Sequence, residues 1–213
     1  MIRAIMKPRK QRIIVDVDTQ KHFFLDNGPL CVRDHEVVLA NIQRIMAWAH
    51  AMHVRVVSTV QVCTNNTIYC NSYTLGGLSV RKLNCTLCPK RIRFDAADCT
   101  DVPRGLLQRY DQVILQKRSF DPFDEPRADR VLTDLEADEF ILVGTPIEGA
   151  VKATALGLLA RGKKVAVAAD ATGALNNTAA RRALRKIRTK GARCITTEAL
   201  LGRRCLAAAS PAG

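Results

Sequence analysis

An aspartate, a lysine and a tight turn each close a hydrophobic run in this sequence. Asp18 follows the first run, Lys117 the third, and Gly144-Thr145-Pro146-Ile147-Glu148-Gly149-Ala150 follows the fourth. The carboxyl ends of neighbouring parallel strands lie side by side, and ligands bind in the crevice outside them. A carboxylate placed there can accept a proton, and an ammonium can steady a developing negative charge. A nucleophile at the head of the following helix can attack a bound substrate. The turn here supplies no such nucleophile. Gly149 and Ala150 stand where a Ser, Cys or Thr would be needed, and Pro146 has no backbone N–H to donate. Glu148 sits near the helix start, where the dipole favours a carboxylate. It reads either as a cap or as a wall of the pocket. Taken singly, Asp18 reads as the cap of a turn and Lys117 as a solvated residue. Taken together, they point to one pocket shared with position 150 and lined by Thr145, Pro146, Glu148 and Gly149.

The elements that must position these groups alternate. Residues 13–17 form a first strand and 54–60 a second. Between them lies a helix whose apolar positions Val38, Ile42, Ile45, Ala49 and Met52 recur at helical spacing, with Asp34 as its cap. Strands follow at 112–115, 140–143, 165–169 and 194–196. Helices are expected over 127–135 and 151–160, and over a basic stretch capped by Asn177 or Thr178 and ended by Gly191; a last helical turn begins at 198. The pattern predicts a single α/β domain, a three-layer sandwich with a six-stranded parallel sheet and helices on both faces. Residues 61–100 show no sustained period. They read as a Cys-rich loop inserted after the second strand, long enough to need a function or a special means of stabilisation.

The order and spacing of these pieces resemble the isochorismatase-like cysteine hydrolases, the family that includes nicotinamidases. The resemblance rests on Ile13-Ile14-Val15-Asp16-Val17-Asp18-Thr19-Gln20 with Phe23, and on Val113-Ile114-Leu115-Gln116-Lys117-Arg118-Ser119-Phe120-Asp121. It continues through Leu142-Val143-Gly144-Thr145-Pro146, Ala153-Thr154-Ala155, Ala160-Arg161-Gly162 and Ala169-Asp170-Ala171. It implies a parallel six-stranded sheet and hydrolysis of amide or related bonds by an Asp-Lys-Cys triad. Asp18 and Lys117 match the first two members, and Ala150 falls on the nucleophile. It also implies a cis peptide between Thr145 and Pro146. The resemblance further implies that the backbone N–H at position 146 helps bind the oxyanion, and Pro146 cannot supply it. A methyl group cannot attack a carbonyl, and loss of one oxyanion donor costs about 10²–10³ in rate. The expectation is therefore a catalytically impaired or altered member that keeps a pocket for a small polar molecule. An active hydrolase of C–N or C–O bonds by a modified route is the alternative. The resemblance also implies a homo-oligomer.

Cysteine usage adds a second theme. Cys85-Thr86-Leu87-Cys88 is a C-x₂-C knuckle, and Cys63 and Cys70 lie upstream in the same stretch. Four thiolates would make a closed, structural zinc site and would order a long loop. The alternative is a set of reduced thiols. Cys63, just beyond the second strand, is also a displaced-nucleophile candidate. The Asp and His cluster of the family's catalytic metal site has no match in Thr64-Asn65-Asn66, so no catalytic metal is expected.

The chain has 213 residues, 33 Lys and Arg against 20 Asp and Glu, and a formal charge of +13. Such a balance permits a nucleic-acid or acidic partner without requiring one. The clearest basic stretch is Arg181, Arg182, Arg185, Lys186 and Arg188. Aromatic residues are 5% of the chain, so base stacking is not an evident theme. No apolar run approaches the roughly 20 residues of a membrane span, and the basic first 12 residues hold no apolar signal core. A cytoplasmic protein with no membrane partner is the expectation.

Overall fold

The computed structural model describes residues 11–26, 30–62 and 81–202. Its sheet has strands β1 (Arg12–Val17), β2 (Arg55–Gln61), β3 (Arg91–Phe94), β4 (Gln112–Lys117), β5 (Glu139–Gly144), β6 (Val165–Thr172) and β7 (Arg193–Ile195). The helices are α1 (His35–Ala51), α2 (Leu106–Arg109), α3 (Pro126–Asp134), α4 (Lys152–Ala160), α5 (Asn177–Thr189) and α6 (Thr197–Leu201). Every strand pair is parallel, in the order β3-β4-β2-β1-β5-β6-β7. The sheet therefore has seven strands, not six. The additional one, β3, lies within the stretch read as loop. It pairs with the outer edge of β4 from Arg91↔Gln112 to Phe94↔Leu115. Its four residues alternate charged and apolar, and the exposed Arg91 and Arg93 protect an edge that would otherwise be open to pairing.

Both faces of the sheet are covered. Ile13, Val15 and Val17 point to one side. There they meet Leu106 of α2, Ala128, Val131 and Leu132 of α3, Ala155 and Leu158 of α4, and Ala180 and Ile187 of α5. Ile14, Val56, Ile141 and Val143 point to the other side, against Val38, Ile42, Ile45 and Ala49 of α1 and Leu200 of α6. This double burial explains why residues 140–143 of β5 read as an unbroken apolar run and why residues 13–17 of β1 are apolar but for Asp16.

Two helix starts differ from the sequence expectation. Asp34 occupies the N-cap position of α1, but its backbone is left-handed (φ 51°) and its side chain makes no capping bond. The cap of α5 is Asn176, one residue before the expected pair, and its side chain accepts from the Ala179 N–H.

Within the stretch 61–100, residues 63–80 lie outside the described ones, and Cys63 and Cys70 with them. The described remainder is not loose. Lys82 bridges Gln20, and its Nζ pairs with Asp16 at 2.5 Å and donates to Thr19 Oγ1 at 2.7 Å. Asp16 also accepts from Thr19 and Ser58. Gln112 joins Ser58 to the Thr86 carbonyl and accepts from the Cys88 N–H. A charge buried this deeply is tolerable only when paired and fully hydrogen-bonded, and this network clamps residues 82–88 onto the sheet.

Candidate functional site

The chain reverses its direction of travel across the sheet between β1 and β5. From β1 it moves out through β2 to the edge strand β3 and then β4 on one side, and crosses back to β5 on the other. The carboxyl ends at such a switch point form a crevice. Asp18 leaves β1 and Thr145 leaves β5 on its two sides. The strands approach closely there. Gly144 has φ +117°, and a Cβ on it would lie 1.9 Å from the Val17 carbonyl oxygen, so no other residue fits. The Thr145 N–H then donates to Val17 O and its hydroxyl to Asp18 O.

Asp18 takes a left-handed backbone (φ 48°). Its Oδ1 accepts from Thr59 Oγ1 at 2.7 Å and its Oδ2 from Lys117 Nζ at 2.7 Å. Lys117 ends β4, two strands away from β1, and reaches across β2; there Thr59 sits in register with Val17 and Gln61 with Lys117. Val57, Thr59, Val113, Leu115 and Lys117 share one face by strand alternation, the face covered by α3, α4 and α5. Lys117 Nζ donates a second bond to the Ser119 carbonyl at 2.9 Å. Asp18 and Lys117 expose none of their surface. Thr59 and the Ser119 carbonyl carry no signal in the sequence, because ordinary strand and turn residues reveal such roles only through register.

After the cis Thr145–Pro146 bond, Ile147–Val151 forms a π-helical turn that runs into α4. Ala150 lies on it, fully buried in the same core cluster as Val17 and Leu115. Its carbonyl accepts from the Thr154 hydroxyl. Glu148 does not cap its own helix. Instead its Oε1 accepts from the Leu175 and Asn176 N–H groups ahead of α5, while its Oε2 is buried with no hydrogen-bond partner.

A cavity of about 560 Å³ opens beside this turn. Pro146, Glu148 and Gly149 line it, and so do Ser119, Asp121, Asp124 and Lys152, which the sequence reading missed; Thr145, expected to line the pocket, is instead fully buried and does not. Asp124 accepts from the Ser119 hydroxyl, and Asp121 from the Phe123 N–H. Asp18, Lys117 and Ala150 do not line this cavity. The buried ion pair lies behind its wall.

Among the described residues no group of three His, Cys, Asp or Glu side chains could hold a metal ion. The two described members of the zinc set occupy different surroundings. Cys85 is exposed, whereas Cys88 is buried and packs with the core on the α1 side. Burial, with Asp111 and Asp16 adding to it, pushes the Cys88 thiol up. A tetrahedral zinc would need four sulfurs within about 2.3 Å, and two of the four proposed ones, Cys63 and Cys70, lie outside the described residues. No helix among the described residues is long and apolar enough to cross a membrane.

Comparison with known proteins agrees with the geometry. The chain is similar to an isochorismatase-like hydrolase from Alkaliphilus metalliredigens (18% identity, TM-score 0.70, covering 90% of this chain and 98% of that one). It is similar to a cysteine hydrolase from Pseudomonas syringae pv. phaseolicola (19%, 0.68, 93% and 98%). A third likeness is to a pyrazinamidase of Pyrococcus horikoshii solved in complex with zinc (18%, 0.66, 87% and 99%). No curated protein matches the chain. A family model, the Isochorismatase domain, matches residues 12–199, and with the switch-point crevice and sheet described above, the chain belongs to the isochorismatase family.

Proposed function

We propose that this chain is a member of its family that has given up thiol-dependent hydrolysis and binds a small polar molecule in the cavity beside Glu148. One observation carries the reading: position 150, where the resemblance puts the nucleophile, holds a methyl group sealed in the core. With no sulfur there and no N–H at Pro146, covalent attack and one part of oxyanion binding are both missing. The Asp18–Lys117 pair then serves as a rigid internal strut rather than as an activator of a thiol.

The cavity sets the ligand class. Asp121, Asp124 and Glu148 contribute three carboxylates against one ammonium, Lys152. Glu148 Oε2 is a buried acceptor without a donor, and such an atom is costly unless a ligand or water satisfies it. A small molecule that presents an amide or amine N–H fits this wall. Zinc on Cys63, Cys70, Cys85 and Cys88 is not needed for the reading.

The test combines turnover and binding. Nicotinamide is incubated with the protein and ammonia is measured, and ligand-observed NMR reads binding of the same compound. The expected result is no ammonia, with nicotinamide binding that falls at least about tenfold in Glu148→Ala, the loss of one charge-assisted hydrogen bond. Ala150→Cys is expected to stay inactive, because Pro146 still lacks its donor. Ammonia release by the unaltered protein would overturn the proposal in favour of hydrolysis by a modified route.

A further inference from the structure

Helix α5 carries Arg181, Arg182, Arg185, Lys186 and Arg188, and Lys190 follows directly; all six are exposed. No acidic residue occurs between Asn176 and Thr197. No ion pair of the described residues involves any of the six. At about 100° per residue they cover an outer arc of about 200°. Ala180, Ala183 and Ile187 fill the opposite, buried side.

This charging is unlike that of the other polar helix. Helix α3 interleaves Arg127 and Arg130 with Asp129 and Asp134, and Arg130 pairs with Asp134 one turn on. In α5 the one-turn neighbours are alike: Arg181 with Arg185, Arg182 with Lys186, and Lys186 with Lys190. Each such pair destabilises a helix. The helix dipole rewards cations in the last turn but opposes Arg181 and Arg182 near the first. Helix stability does not call for this arrangement, and no ion pair of the described residues neutralises it.

We propose that the outer face of α5 binds the phosphate backbone of nucleic acid. From Arg181 to Lys190 the helix rises about 13.5 Å, so six cations give about one charge per 2.3 Å. Duplex DNA carries one phosphate charge per about 1.7 Å of its axis. The two densities are close, and one row, Arg181-Arg185-Arg188, runs along the helix on a single side. The helix has no aromatic residue to stack on bases and offers contacts of the kind that ignore sequence. The inference uses no residue of the cavity and stands whether or not that cavity binds a ligand.

The full chain is titrated against a labelled 20-base-pair DNA duplex and a labelled single-stranded RNA by fluorescence anisotropy, from roughly 50 to 300 mM KCl. Binding is expected to weaken with a log–log salt slope of about −4 to −5, about −0.9 per phosphate contact. The triple variant R181E/R185E/R188E is expected to lose at least tenfold in affinity at 100 mM KCl and to flatten the slope by about 3. Its circular dichroism reports that the fold is kept. The variant R33E/R104E/R109E makes the same change of net charge at exposed sites elsewhere and is expected to bind nearly as the parent does. Equal loss in both variants would reduce the effect to net charge and overturn the proposal. So would binding to neither nucleic acid, or displacement of both by poly-glutamate at equal charge concentration, which would assign the face to an acidic protein.

Discussion

Lys117 Nζ lies 2.7 Å from Asp18 Oδ2 with both side chains fully buried, so the two charges depend on each other and not on solvent. The carboxylate is completed by Thr59 and the ammonium by the Ser119 carbonyl. Three strands, β1, β2 and β4, are thereby tied at their carboxyl ends. The pair is rigid because its partners come from the backbone and from strand residues set by register.

Removal of one member should therefore cost far more than removal of both. Lys117→Met leaves an uncompensated buried carboxylate, and the expected loss of stability is about 3–5 kcal/mol. The double variant D18N/K117M keeps the volume without either charge and should recover a large part of that loss. Urea unfolding measures the cycle. If the two single variants and the double variant lost stability additively, the two groups would not be coupled.

Much of this site was legible in the sequence because it sits on strands buried on both faces. Residues 140–143 are a continuous apolar run and residues 13–17 are apolar but for Asp16, which puts Thr145 and Asp18 just beyond strand ends. Lys117 was legible for the same reason. The losses have physical causes. β3 is four residues long, and two of them are arginines, so its alternation is too short to stand out from loop. Lys82 lies in an aperiodic stretch, and only the folded chain brings it to Asp16. Asp34 has the residue type of a cap but a left-handed backbone that turns its carboxylate away. By position Glu148 reads as a cap of its own helix or as a wall of the pocket. It lines the cavity, and it also holds the start of the next helix through Leu175 and Asn176, a contact 27 residues distant that spacing alone does not encode.

Arg118, next to Lys117, gives a dependence on pH. It bonds to Asp98 and to the buried Glu125. The hydrogen bond from Arg118, followed by its charge, holds the Asp98 carboxyl below its ordinary value. The folded state thus binds the Asp98 proton less readily than the unfolded chain does. The contribution is present above the unfolded value of about 3.9 and is lost as pH falls through the folded value. An NMR titration of Asp98 should show a midpoint that rises toward the ordinary range in Arg118→Gln. Asp98→Asn should be less stable than the parent at neutral pH, and the difference should shrink as pH falls through the folded value of Asp98. An Asp98 midpoint that Arg118→Gln leaves in place would refute the assignment.

The two described cysteines of the knuckle offer a direct test of whether they act together. Cys85 is exposed and Cys88 is packed beneath α1. The Cys88 N–H is held by Gln112, so access to its sulfur requires residues 82–88 to open from the sheet. Pulsed alkylation with mass spectrometry at neutral pH should label Cys85 at the rate of a free thiol. Cys88 should be labelled on the order of tenfold or more slowly, limited by that local opening. Lys82→Met removes the ammonium that clamps the segment to Asp16 and should speed the labelling of Cys88 while leaving Cys85 unchanged. An ion shared by the two sulfurs predicts the opposite pattern, with both thiols protected alike and both released by a chelator, together with about one zinc per chain in metal analysis.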